Sequence, residues 1–323
     1  MTDESTTRHG AVLRRAAIAA LGPYRVRIAQ ETGLLIAPWP GVLIEGARAD
    51  DPMTLAAAAV ALAGPRALLT GWTAAWLHGC GSADPTPVRL LVPYGHRLRS
   101  AAGLVVHNGP LVDADRTMVD GLPVGRLDRV LADLLCVGSP DHALAATDEA
   151  LALREPGERE AFRAAVAERI RTRRDPRGTV RGRRLLDLAT GRAESPAESR
   201  LMFRLVDAGF PVPRVNWSLT GVDGREVYRL DLSWPSLRIA VEYHGYAAHV
   251  GRTEQDEARA EDLRRRGWIP VEVWADDLAH PTRYEGELDA AFRRRGVDLS
   301  RRRQGVLQGR RHRDANDRDL VRG

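Results

Sequence analysis

The clearest pattern of apolar and polar positions runs from Glu226 to Gly245. Apolar side chains alternate with polar ones through EVYRLDLSWP and again through LRIAVEY, the period of two that marks strands. Pro235 and Ser236 separate the two runs, which predicts a β-hairpin with a two-residue turn. In that register Trp234 pairs with Leu237, Ser233 with Arg238 and Asp231 with Ala240. Glu242 then lies diagonal to Asp231 on one face, with Cβ atoms roughly 7 Å apart. A slip of one residue would separate the two acids.

Neighbouring patterns extend the hairpin into a domain. SPAESRLMFRLVDAG has a stripe of Leu201, Leu205 and Ala208 and a terminating Gly209, as a helix does. RVNWSLTG reads as a strand, TEQDEARAEDLRRRG as a polar helix, WIPVEVWA as a strand and RYEGELDAAFRRRG as a last helix. The predicted order is α-β-β-β-α-β-α over residues 193–298.

The earlier half is less regular. A helix is predicted over Ala11 to Leu21, followed by short apolar runs that fit a trimmed winged helix. DPMTLAAAAVALAG is a helix stopped by Gly64-Pro65, and PVRLLVP and GLVVHNG are short strands. RLDRVLADLLCVG and PDHALAATDEALAL are amphipathic helices. Trp72 and Trp76, four residues apart among alanines, are expected in the core. The reading divides the chain into an α+β domain over 1–152, an arginine-rich helical connector over 153–192, an α/β domain over 193–298 and a disordered basic tail over 299–323. The fold class is α/β.

Composition adds two constraints. The 323 residues carry a formal net charge of +5, and all 48 basic residues are arginine. A planar guanidinium suits phosphate and cannot exchange a proton near neutral pH. The arginines of the connector therefore serve either as a solvated helix face or as a DNA-backbone patch. Cys80 and Cys136 lack metal-ligand spacing, and no apolar run is long enough to span a bilayer, so a reduced cytoplasm is expected.

The candidate chemistry gathers around the hairpin. Asp231 and Glu242 are placed to share a cation. The alternative is ordinary pairing, with Arg229 opposite Glu242 and Arg238 diagonal to Asp231. Glu198 sits in a capping box, Ser195-Pro196-Ala197-Glu198, and such a first-turn acid can also face a neighbouring strand. Arg259 either pairs with acids of its own helix or binds phosphate.

The segments ESPAESRL, RLDLSWPSLRIAVEYHG, His249 and DEARAEDLRRRGW resemble an actinobacterial domain related to very-short-patch-repair endonucleases, within the restriction-endonuclease-like PD-(D/E)XK superfamily. In the last segment Asp256, Arg259, Leu263 and Gly267-Trp268 carry the likeness, which covers about 80 residues. The resemblance implies an αβββαβ core and a DNA endonuclease acting in repair, defence or mobile-element control. Asp231 and Glu242 would hold Mg²⁺ or Mn²⁺, with the Tyr243 carbonyl as a further ligand and Glu198 orienting a water. His244 stands where the superfamily has lysine, and where nearer relatives have an acid. It is either a general base, a metal ligand or the mark of a decayed site. His249 matches a family histidine suited to proton transfer, and equally suits a solvent-facing loop.

PWPGVLIEG, ALLTGWTAAWLHG, VRLLVP and LDRVLADLL resemble AbiE-type antitoxins, which implies DNA binding and a cognate toxin as partner. The second reading is therefore a non-catalytic DNA-binding antitoxin or regulator with a decayed nuclease fold. Neither resemblance implies an organic cofactor or a membrane partner.

Overall fold

The computed structural model describes residues 9–221, 223–245, 253–305 and 307, with 253–256 described by backbone alone. The fold is α/β. The chain divides into two units at Leu134/Leu135. The expected boundary at residue 152 therefore moves upstream, and the predicted connector belongs to the second unit.

In the first unit, β1 (Ala11–Leu13) precedes α1 (Arg14–Leu21), so the predicted helix begins three residues late. Ala11 to Leu13 pair instead with Ile44 to Val42. Gly22, at φ 81°, turns the chain directly into α2 (Pro23–Glu31). The hairpin of β2 (Leu35–Ile36) and β3 (Val42–Glu45) completes a sheet of order β1-β3-β2. Ala17, Val26 and Leu43 form its small core. α3 (Pro52–Ala63) follows, capped by Asp51, which accepts from the Met53 and Thr54 amides.

A five-stranded sheet of order β6-β5-β4-β8-β7 makes up the rest of this unit. Its strands are β4 (Leu68–Leu69), β5 (Val88–Val92), β6 (Leu104–Asn108), β7 (Arg116–Val119) and β8 (Leu122–Gly125). α4 (Gly71–Leu77) buries Thr73, Ala74, Ala75 and Leu77. Trp72 and Trp76 are only half-buried, because the small residues and not the aromatics face inward.

The second unit begins inside α5 (Leu127–Val137) and continues through α6 (Pro140–Ala152), α7 (Pro156–Arg171) and α8 (Thr179–Leu188). Several connector arginines close helix ends, where backbone carbonyls lack helical partners. Arg163 donates to the Leu186 and Ala189 carbonyls at the end of α8. Arg181 donates to the Leu135 and Gly138 carbonyls, at 3.2 and 3.1 Å, at the end of α5. Arg154 donates to the Ala150 carbonyl at the end of α6. These side chains are structural, whereas Arg183 and Arg184 remain exposed. Gly178 and Gly182 let α8 close on α5: a Cβ on Gly178 would stand 1.9 Å from the Cys136 carbonyl oxygen.

The C-terminal sheet has the order β12-β11-β10-β9. It contains β9 (Arg214–Thr220), β10 (Glu226–Trp234), β11 (Ile239–His244) and β12 (Ile269–Trp274). α9 (Pro196–Asp207) precedes it, α10 (Thr253–Arg265) links β11 to β12, and α11 (Thr282–Arg294) follows. β11 and β12 are parallel, and a helical crossover is the usual way to join such strands. Trp234 meets Phe292 edge to face and Phe210 packs on Phe292 at a tilt, with ring centroids 5.0 and 5.8 Å apart. Leu230, Ala240, Leu263 and Trp268 form a second cluster against α10.

The expected disordered tail starts ordered. Gly305 and Leu307 donate to the Asp207 carbonyl and carboxylate at 2.7 and 2.8 Å, and Leu307 is buried. Residues 308–323 lie outside the described part. Among the described residues, no helix is long and apolar enough to cross a membrane.

Candidate active site

The hairpin register differs from the predicted one by two residues. Leu232 pairs with Val241, Ser233 with Ala240 and Trp234 with Ile239. The turn is longer than Pro235-Ser236: a 3-10 turn over Pro235–Leu237 ends at Arg238 in the left-handed region. A shift of two preserves side-chain faces, because the strand period is two. Asp231 and Glu242 therefore stay together, one step beyond the Leu232–Val241 pair. There the carboxylates take over from the ladder. The Tyr243 amide donates to Asp231 Oδ2 at 2.8 Å, and the Asp231 amide donates to the Glu242 carboxylate.

Burial sets the electrostatics of the pair. Glu242 is 8% exposed. Loss of water, and then repulsion from Asp231, push its carboxyl up to about 8. Burial raises Asp231 to about 6, against the lowering effect of the Tyr243 amide, with the charge of Glu198 adding to the rise. Arg259 opposes both shifts. Its Nη2 donates to Glu242 Oε2 at 2.5 Å and to the Arg229 carbonyl at 2.6 Å. Glu242 Oε1 is buried with no hydrogen-bond partner among the described residues.

Glu198 fills its capping role. Its oxygens accept from the Glu194 amide at 2.9 Å, the Ser195 hydroxyl at 2.8 Å and the Asn216 amide group at 3.2 Å. The cap also fixes the acid close enough to Asp231 to be felt as charge. Arg259, one of the candidate residues, is drawn to Glu242 across 17 residues of sequence.

Two proteins of Mycobacterium tuberculosis are similar to the chain. Uncharacterized protein Rv2248 of strain H37Rv and uncharacterized protein MT2308 of strain CDC 1551 are each 31% identical to it over 250 residues, spanning 77% of this chain and 88% of the relative. The chain belongs to the Rv2248 family. The crystal structure of RV2827C protein from M. tuberculosis aligns with a TM-score of 0.37 and 17% identity, over 66% of this chain and 84% of that one. No protein-family profile matches the chain.

In this Rv2248-family chain the other expected contacts fall out differently. Arg229 does not sit opposite Glu242 in a pair: it binds Glu194 at 2.9 Å and Glu226 at 3.0 Å, because the true register moves it along the sheet. His244 lies beside Trp274 in the parallel β11–β12 register and stacks on it, with ring centroids 4.5 Å apart. The ring is thus turned to an aromatic face. His249 lies outside the described residues. Three side chains near the acids escaped the sequence reading. Asn216, at φ 47°, bridges Glu198 and the Arg192 carbonyl. Glu272 is the register partner of Glu242 on β12. Tyr228 lies under the Arg259 guanidinium, 5.0 Å from ring centroid to Cζ. Only Glu272 had a local signal, as the polar residue of IPVEVW.

Proposed function

We propose that the C-terminal unit hydrolyses DNA phosphodiester bonds with Mg²⁺ or Mn²⁺ held by Asp231 and Glu242. The observation that carries this reading is the buried, mutually repelling carboxylate pair with Glu242 Oε1 left unpartnered. Such an arrangement costs stability unless a cation neutralises it. The donor set fits a hard cation: Mg²⁺ is commonly bound by one or two carboxylates, with waters and phosphate oxygens completing its shell. No cluster of three or more His, Cys, Asp or Glu suited to a metal occurs among the described residues.

When bound, the ion would supply a more acidic water and charge stabilisation on the phosphoryl oxygens. Asp231 and Glu242 would hold it, each carboxylate steadied by a backbone amide of the facing strand. Glu198, immobilised by its cap, would orient a water there. Arg259 fixes the rotamer of Glu242 through Oε2, while Oε1 has no hydrogen-bond partner among the described residues. The stacking on Trp274 favours a packing role for His244 over that of general base.

A second reading has its own support. α1 and α2 are joined by the single residue Gly22, and Tyr24, Arg25 and Ile28 are exposed on α2. A second helix presented in this way suits the major groove, with the β2–β3 hairpin beside it as in a winged helix. DNA is then a partner even if the acidic pair is inert, and an antitoxin or regulator acting with a cognate toxin is the alternative function.

Cleavage of supercoiled plasmid and single-stranded DNA with Mg²⁺ or Mn²⁺ separates the readings. The wild type is expected to nick or linearise DNA, and Asp231→Ala to lose at least a hundredfold in rate, as expected on removing a principal electrostatic group. Equal inertness of both proteins, with DNA binding retained, would leave the regulator.

A further inference from the structure

We infer that Arg259 is a catalytic cation: its guanidinium contacts the scissile phosphate and stabilises the negative charge that gathers there during hydrolysis. This rests on the nuclease reading above and assigns a role within it. Phosphodiester hydrolysis loads charge onto the phosphoryl oxygens, and a fixed positive group beside them lowers the barrier more than it improves ground-state binding.

The chain has no lysine to supply that charge. His244 is stacked on Trp274. Arg259 reaches the acidic pair from α10 and is held by three contacts. Nη2 binds Glu242 Oε2 and the Arg229 carbonyl, and the planar group lies over the Tyr228 ring.

Those contacts leave a donor over. Arg259 Nε is buried and has no hydrogen-bond partner among the described residues. An unsatisfied buried donor costs stability, so its retention beside an orphaned carboxylate oxygen points to a ligand that supplies both partners. A phosphate with its counter-cation does so: the phosphate oxygen accepts from Arg259, and the cation meets Glu242 Oε1. Arginine keeps its charge at every working pH, so the role is electrostatic and no proton moves through it.

The test uses the full chain, a duplex oligonucleotide and saturating Mn²⁺. Single-turnover cleavage is measured for wild type, Arg259→Met, Arg259→Lys and Asp231→Ala. Duplex affinity is measured separately without metal, and folding by thermal melting. Arg259→Met is expected to cleave about a hundredfold more slowly, with duplex affinity within about threefold of wild type. Arg259→Lys should recover at least tenfold of that loss by restoring the charge. Cleavage by Arg259→Met at the wild-type rate would overturn the inference and leave the nuclease standing. A rate loss matched by an equal loss of duplex affinity would overturn it too, since the contact would then serve binding alone. If Arg259→Met fails to fold, a folded Arg259→Lys that cleaves no better than Asp231→Ala would overturn it, because charge alone would not restore activity. Inertness of wild type and every variant would remove the nuclease reading itself.

Discussion

Glu242→Gln is expected to abolish metal-dependent cleavage and, without metal, to make the protein more stable at alkaline pH. Both effects have one origin. The Glu242 carboxyl is pushed up to about 8 in the folded chain, above the ordinary range near 4.5. Between those two values the folded protein holds a proton that the unfolded chain has released. Stability therefore falls as pH rises through this window and levels off above about 8. Glutamine carries no charge to bury, so the variant escapes that loss. Partial loss of the Arg259 ion pair works against the gain, which leaves about 2 kcal/mol above pH 8, or a rise of about 4–8 °C in Tm for a unit of this size. The gain should vanish near pH 4.5. Saturating Mn²⁺ should stabilise the wild type more at pH 8.5 than at pH 6, because ligands bind metal in their deprotonated form. It should do little for Glu242→Gln. Thermal melts across pH with and without Mn²⁺ check these outcomes. A variant no more stable than wild type above pH 8 would contradict the strain assigned to the acidic pair.

Asp148→Ala is expected to be the most damaging single change to the fold of the second unit. Asp148 lies on α6, almost fully buried. It accepts from the Thr190 and Gly191 amides at 2.5 and 2.7 Å and from the Ser199 hydroxyl at 2.7 Å. It thereby ties α6 to the turn after α8 and to the first turn of α9, one residue beyond Glu198. Burial raises its pKa against the lowering pull of these donors. Alanine would strand the buried Gly191 amide, the part-buried Thr190 amide and the buried Ser199 hydroxyl, a loss of about 3–5 kcal/mol or roughly 10 °C in Tm. Asn keeps an acceptor for both amides and should cost about 1 kcal/mol. Denaturant unfolding of the two variants checks this. An alanine variant within 1 kcal/mol of wild type would show that the turn holds without Asp148.

The local patterns that predicted the C-terminal elements are strong ones: the alternation of LDLSW and IAVEY, the capping box at Ser195 and the glycine stops at Gly209 and Gly267. The hairpin register was not legible. Its turn closes on a non-glycine residue, Arg238, in the left-handed region, and no glycine or asparagine advertises it. The acidic pair survived the error because the slip was even. Contacts across the sheet had no local trace. The stacking of His244 on Trp274 depends on a parallel register set by α10, and the hold of Arg259 on Glu242 depends on how that helix packs. The β7–β8 hairpin did carry a signal, Asp120-Gly121 with both residues at positive φ. The flanking strands, only four residues each, are too short for alternation to stand out. Three-residue β1 was absorbed into a run of alanines that favours helix.

If Asp231 and Glu242 together hold a divalent cation, as proposed, uptake should need both. Calorimetric titration of Mn²⁺ into the full chain at pH 8, beside Asp231→Ala and Glu242→Gln, tests it most directly. One ion should bind per chain in the wild type, with uptake weakened at least tenfold in either variant, the scale expected when a metal ligand is lost. Equal Mn²⁺ binding by all three proteins, or none by the wild type, would contradict the account.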